Sequence, residues 1–228
     1  MDSTNWQARL WARAGAPHGA AVVAGRQTAG RGRRGRTWES APNMGLWMSV
    51  VVRPGRPLEE YARLVFAAAL AGADACWAAT GAEMFIKWPN DLLLCGRKIV
   101  GILVEMEGDA AVVGIGINVR QREGDFPPAL RETAGSLEML TGRMVSLETL
   151  EKSFLMELER RVDAWDFMDE YARRCGTVGE AVRVISTDEE FCGVAEGMDG
   201  IGALLVQDEA GALRRVLAGD VSIRRLAR

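Results

Sequence analysis

Apolar spacing divides the chain into a mixed helix-and-strand portion and a strand-rich tail. Ser3 and Thr4 precede Trp6, Leu10 and Trp11, which sit at helical spacing and predict a short helix with a polar cap. Residues 20–24 read as a small strand. Residues 25–40 are rich in glycine and arginine and poor in apolar residues, so they read as a loop. Residues 45–52 form a β-rich run ended by Pro54. Residues 58–79 predict one long alanine-rich helix with Leu64, Leu70 and Trp77 among its apolar positions. Four strands then follow with short breaks, at 83–87, 92–94, 99–106 and 111–119. Breaks this short leave no room for crossover helices, so the strands are antiparallel hairpins.

Pro127 and Pro128 open a helical region to about Leu140, and Ser146 caps a further helix. Its apolar face is Leu147, Leu150, Phe154, Leu158, Val162 and Trp165. After Gly179 the texture changes. Short strands near 181–186, 191–196, 202–207, 213–217 and 221–224 alternate with Asp/Gly turns, the pattern of a small β-barrel. The expected architecture is α+β, a mixed or antiparallel sheet backed by helices, with domains at 1–178 and 179–228.

Composition narrows the function classes. With 228 residues and 48 % hydrophobic content the chain can build a substantial core. A net charge of −3 supplies no global field toward nucleic acid or a membrane. A single histidine, His18, argues against a zinc site or a Ser-His-Asp triad. Cys76, Cys95, Cys175 and Cys192 form no C-x-x-C pair and no disulfide framework, and no structural metal is expected. Nothing at the start reads as a signal peptide. The most apolar stretch, residues 64–79, contains Asp74 and reads as a core helix, so a cytoplasmic location is expected.

Three segments carry candidate chemistry. The first is the loop from Gly25 to Trp38, with five arginines and four glycines in fourteen residues. Glycines let backbone approach a ligand closely, and guanidinium forks suit phosphate and carboxylate oxygens. Composition leaves three readings of this loop open: an anion cradle, an RNA-binding segment and a solvated basic loop. Trp38 offers a stacking surface. The second segment is Lys87-Trp88-Pro89-Asn90-Asp91. Lysine occurs only at Lys87, Lys98 and Lys152 in a chain otherwise served by arginine, and Lys87 ends an apolar strand. Turn chemistry explains Asn90 and Asp91 but not Lys87, which either reaches out to solvent or meets an anion. The third is Gly114-Ile115-Gly116-Ile117-Asn118. The two glycines and Asn118 share one face of a strand, which suits either a flat ligand or a close backbone contact. Gly101 clears space in the same way.

Together these motifs resemble the biotin–protein ligase family. Asp2-Ser3-Thr4-Asn5 looks like its D-S-T-N opening, and Gly30 to Gly35 reads G-R-G-R-R-G. Lys87 to Asp91 matches K-W-P-N-D, residues 97–105 look like its next strand, and Gly114 to Asn118 resembles G-x-G-I-N. Residues 200–206 and 216–223 look like its SH3-like cap. The resemblance implies a class II synthetase-like catalytic domain that uses ATP and Mg²⁺ to make biotinyl-5'-AMP. It then passes biotin to a lysine of a biotin carboxyl carrier protein.

Carried over by position, the resemblance implies biotin contacts from Ser3, Thr4, Asn5, Gln27, Gly30, Arg31, Gly32, Arg33, Lys87, Gly101, Gly114 and Gly116. It implies nucleotide contacts from Arg33, Arg34, Arg36, Trp38 and Asn118, with Asn118 near Mg²⁺ through phosphate. Lys87 and Arg33 are the expected catalytic pair, Lys87 lying between the biotin carboxylate and the α-phosphate. Lys98 carries no firm assignment. Strand-edge pairing into a homodimer is one arrangement the resemblance implies. Because D-S-T-N begins at residue 2, a preceding DNA-binding domain and a repressor role are not expected, nor is a membrane partner. A lipoate–protein ligase and a non-enzymatic RNA-binding protein are the alternatives.

Overall fold

The structure is a computed structural model that describes residues 1–185, 189–217 and 220–223. Its main sheet has six strands: β1 (Ala21–Ala24), β2 (Gly45–Val52), β3 (Phe85–Lys87), β4 (Asp91–Leu94), β5 (Arg97–Glu107) and β6 (Ala110–Asn118). Their spatial order is β1-β2-β6-β5-β4-β3, and neighbouring strands pair antiparallel. Period-two alternation sorts the central strands between two faces. Leu46, Met48, Val50 and Val52 of β2 join Ala111, Val113, Ile115 and Ile117 of β6 in the main core. That core is closed by α2 (Leu64–Thr80), α4 (Leu147–Ala164) and α5 (Met168–Arg174). The opposite face carries Val51, Ala110 and Val112 under α1 (Thr4–Arg13), then Gly114, Gly116 and Asn118. A short α3 (Leu137–Thr141) completes the helices.

A smaller antiparallel sheet follows, made of β7 (Ala181–Ile185), β8 (Glu190–Met198), β9 (Leu204–Asp208), β10 (Leu213–Val216) and β11 (Asp220–Ile223), in the order β10-β9-β8-β7-β11. The expected α+β class with an antiparallel sheet backed by helices is therefore found, with a small C-terminal antiparallel sheet beside it. Ser186 and Arg224, at the ends of two expected strands, lie outside the described residues, as do Ala218 and Gly219 and residues 225–228.

Three local expectations are corrected, and one helix is added. The N-terminal helix forms, with Ser3 as its cap accepting from the Trp6 amide, but Ala8 and Ala12 face the sheet. Trp6, Leu10 and Trp11 are exposed, because close approach to the sheet favours alanine over larger side chains. The expected helix at 58–79 begins as a 3₁₀ segment, Leu58–Arg63, and Trp77 faces solvent. Among the described residues Leu58–Thr80 is the one stretch long and apolar enough to cross a bilayer, and 61 % of its most apolar 18-residue window is buried within the protein. The region from Pro127 to Leu140 is not one helix. It is a 3₁₀ turn at Pro128–Leu130, a bend and α3, since Lys98 bridges to Ala134 in strand fashion and Gly135 packs against Arg97 and Ile99. Finally, α5 was not anticipated. It is short, and the buried Arg161 ties it to α2 and α4 through Asp74, Glu157 and Glu170.

Candidate active site

The N-terminus of α1 and the Gly/Arg loop close over the glycine face of the main sheet and leave two connected hollows. The inner one is built on a buried polar chain. Ser49 is the sole polar residue of β2 and is fully buried. Its hydroxyl donates to Asn5 Oδ1 at 2.6 Å and sits 2.8 Å from Thr4 Oγ1. The Thr4 amide donates to Gln27 Oε1 at 2.8 Å, and Gln27 Nε2 donates to Ser40 Oγ at 3.0 Å. Asn5 Nδ2 donates to Glu105 at 3.0 Å, and the same carboxylate receives Arg9 at 3.1 Å and Arg31 at 3.4 Å. Fixed partners on several sides hold these side chains in one orientation. Ser3, Thr4, Asn5, Gln27, Arg31 and Gly32 thus line one pocket with Gly101, Gly114 and Gly116.

The glycines act as close-approach positions. Gly101 pairs with Gly116 across β5 and β6, and a β-carbon at either would lie 2.5 Å from the Trp38 indole. One at Gly114 would overlap the Asn5 carboxamide. Of the two readings left open by the sequence, the structure shows side chains of the chain itself on this floor. The Trp38 N–H is buried there without a hydrogen-bond partner among the described residues.

The outer hollow is bordered by Arg36, Lys87 and Asn118, with Phe126, Leu130 and Thr133 as a far wall. Arg33, Trp38, Asn90 and Lys98 border both hollows. Arg33 Nη1 donates to Asn90 Oδ1 at 2.8 Å, and Asn90 is itself fixed by reciprocal 3.0 Å bonds with Ile102. Lys98 Nζ lies 2.6 Å from Asp91 Oδ1 and 5.4 Å from the centre of the Trp38 ring.

Lys98 reaches this junction because of a β-bulge. The β4–β5 register jumps between Leu92, opposite Val100, and Leu93, opposite Lys98. Ile99 and Val100 consequently both enter the core. Without the extra residue, strict alternation would turn Lys98 toward the core beside Val100 and Ile102. The bulge re-aims it to the face of Gly101.

Three expected site residues stand apart from the inner hollow. Lys87 borders the outer hollow, whereas Lys98 borders both. Arg34, at φ +56°, turns outward and donates to the Ile185 carbonyl of β7 at 3.2 Å, bordering neither hollow. Gly30 lies behind the loop, packed against the Trp38 carbonyl, so it serves the loop's own turn. Sequence reasoning missed Ser49, although a lone hydroxyl in an apolar strand was a usable signal. It also missed Asn90, Glu105 and the far wall from Phe126 to Thr133, which no local pattern marks.

This geometry defines a site for two anionic partners side by side, with cations at their junction and a polar clamp at one end. The chain belongs to the biotin/lipoate A/B protein ligase family, which matches residues 2–121, while residues 177–224 match the biotin protein ligase C terminal domain. The bifunctional ligase/repressor BirA of Bacillus subtilis is 35 % identical over 239 residues, covering 98 % of this chain and 72 % of its own length. The biotin--[acetyl-CoA-carboxylase] ligase of Mycobacterium tuberculosis is 35 % identical over 213 residues, 89 % of this chain and 78 % of its own. The biotin protein ligase of Aquifex aeolicus, solved in complex with biotin and ATP, superposes with a TM-score of 0.85 at 30 % identity, covering 99 % of this chain and 96 % of that one.

Proposed function

We propose that the chain is a ligase that activates biotin with ATP as biotinyl-5'-AMP and transfers the biotinyl group to a lysine of a biotin carboxyl carrier protein. The observation that carries this reading is the placement of Arg33 and Lys98 where two adjoining hollows meet. In this reading the clamp of Ser3, Thr4, Asn5 and Gln27 takes the ureido end of biotin, beside Gly101, Gly114 and Gly116, on which the Trp38 indole and the Asn5 carboxamide rest. Arg31, Gly32 and Arg33 cover it. Arg36, Trp38, Lys87 and Asn118 face the nucleotide. Residues 1–178 do the chemistry, and 179–228 form an appended unit.

The chemical difficulty is that a carboxylate must attack a polyphosphate. Lys98 and Arg33 offset the repulsion and stabilise charge on the α-phosphate as the carboxylate oxygen adds and pyrophosphate leaves. Holding both reactants adjacent contributes on the order of 7–11 kcal/mol in ideal cases. The mixed anhydride is then sheltered by the Arg31–Arg33 segment until a neutral lysine amine attacks its acyl carbon and AMP departs.

Magnesium fits poorly as a protein-held ion. The Asn118 oxygen already accepts from Gln121 at 3.1 Å, and no cluster of three or more His, Cys, Asp or Glu occurs among the described residues. A hard cation needs several oxygen ligands, so magnesium would be carried by the triphosphate.

The test is pyrophosphate exchange with biotin or lipoate, followed by mass analysis of a carrier domain. Exchange with biotin and a biotinylated lysine are expected. Exchange with lipoate alone, or salt-dependent RNA binding without ATP turnover, refutes the reading.

A further inference from the structure

We infer that Trp88 is a positioning residue, through which the turn Asp199–Ala203 of the small sheet holds the cations of the active site in place. The inference rests on the ligase reading and adds to it a task for the C-terminal sheet. Trp88 is buried, and both of its N–H groups are bound to late parts of the chain. The indole Nε1 donates to the Gly202 carbonyl at 3.0 Å, and the amide donates to Thr177 Oγ1 at 2.9 Å.

The turn that receives the indole is stiff. Asp199 Oδ1 accepts from the amides of Ile201 and Ala203 at 3.0 and 2.9 Å, and its other oxygen pairs with Arg215. Burial acts to raise the Asp199 pKa, but the Arg215 and backbone hydrogen bonds outweigh it and hold the carboxyl below its usual range, so it is ionised at neutral pH. Gly202 has φ +91°, and a β-carbon there would overlap the Phe66 ring. Only glycine fits both the backbone and the contact.

The three residues after Trp88 transmit this anchorage. The Pro89 carbonyl accepts from Tyr171 Oη at 3.2 Å. Burial pushes that phenol well above its ordinary pKa, so it remains a donor. Phe66 packs against Tyr171 in a tilted contact with ring centres 4.6 Å apart, which closes the cluster around the turn. Asn90 then holds Arg33, and Asp91 holds Lys98. Residues 88 and 89 are thus fixed from the C-terminal side, while 90 and 91 fix the two cations. A small displacement of the reacting groups costs catalysis more than it costs ground-state binding.

The experiment compares Trp88→Phe, which keeps a ring and removes the N–H, with Val216→Ala, which weakens the small sheet's core while removing none of the hydrogen bonds of the latch. Arg215→Gln, a surface change that frees Asp199 and loosens the turn, is made alongside. The readouts are the kcat and KM of biotin-dependent pyrophosphate exchange, the Kd for biotin and Tm. Trp88→Phe is expected to lower kcat about tenfold or more with a smaller change in the biotin Kd, because the hydrogen bonds of the ureido clamp run to Ser49, Ser40 and Glu105 rather than to residues 88–91. Arg215→Gln lowers kcat less, and Val216→Ala lowers Tm but not kcat. The inference fails if Trp88→Phe and Arg215→Gln keep parental kcat, or if Val216→Ala loses as much kcat at equal Tm. If Trp88→Phe does not fold, Arg215→Gln decides alone. A parent protein with no biotin-dependent exchange would instead remove the ligase reading itself.

Discussion

Replacing Lys98 with methionine removes the charge at the junction of the two hollows while keeping most of the aliphatic stem. The structure sets the expected cost in two parts. The ion pair with Asp91 leaves the two side chains 32 % and 20 % exposed, so solvent limits its contribution to about 0–1 kcal/mol. The contact over Trp38 adds about 0.5–1 kcal/mol. Together these correspond to a fall in Tm of roughly 1–8 °C for a chain of this size, and the fold survives. Catalysis should suffer more. Removing one donor aimed at developing transition-state charge costs about 10²–10³ in rate, or roughly 2.7–4 kcal/mol. Lys87→Met, bordering only the outer hollow, should raise the KM for ATP about tenfold through loss of one charged contact with kcat nearly parental. The assay is biotin-dependent pyrophosphate exchange with a parallel thermal melt of each variant. The reasoning is refuted if Lys87→Met abolishes adenylate formation while Lys98→Met retains parental kcat.

Ser49→Ala leaves Asn5 Oδ1 without its buried donor, a penalty of about 1–3 kcal/mol. Calorimetry should show biotin affinity falling roughly tenfold or more, and an unchanged Kd would exclude Ser49 from the clamp. Gly116→Ala forces a β-carbon against the Trp38 indole, so near-ultraviolet circular dichroism should change together with activity; a parental spectrum and rate would contradict the crowding. Arg161→Met removes the buried guanidinium that joins Asp74, Glu157 and Glu170, leaving the first and last to Arg174 and Glu157 to Arg160. The loss should fall below the figure of about 3–5 kcal/mol for a fully broken buried pair, readable as a lowered urea midpoint. Burial acts to raise the Glu170 pKa, but hydrogen bonds from Arg161 and Arg174 prevail and lower it from 4.5. A depressed folded pKa gives stability that is present above the unfolded value and lost as pH falls through the folded one. Stability should therefore decline below about pH 4.5, and Glu170→Gln should flatten that part of the profile.

Much of the site was legible in one dimension because a strand repeats every two residues. Gly114, Gly116 and Asn118 had to share a face, and the same count placed the main-core residues of β2 and β6 on the other. The order of the Gly/Arg loop, the Lys87–Asp91 turn and the glycine strand was enough to identify the family. Caps at Ser3 and Ser146 are local hydrogen-bond chemistry and were equally readable. Only the tertiary structure decided the rest, for reasons that are not local. The aromatic side of α1 faces outward because a sheet face narrowed by small residues admits alanine more closely than tryptophan. Lys98 borders both hollows because one extra residue, Ile99, reverses the alternation of β5 at that point. Arg34 leaves its neighbours because a left-handed backbone turns it toward β7. Periodicity assigns residues to faces only while the register is unbroken; where a bulge, a positive φ or a close packing contact intervenes, the neighbours in space choose which side chain meets the ligand.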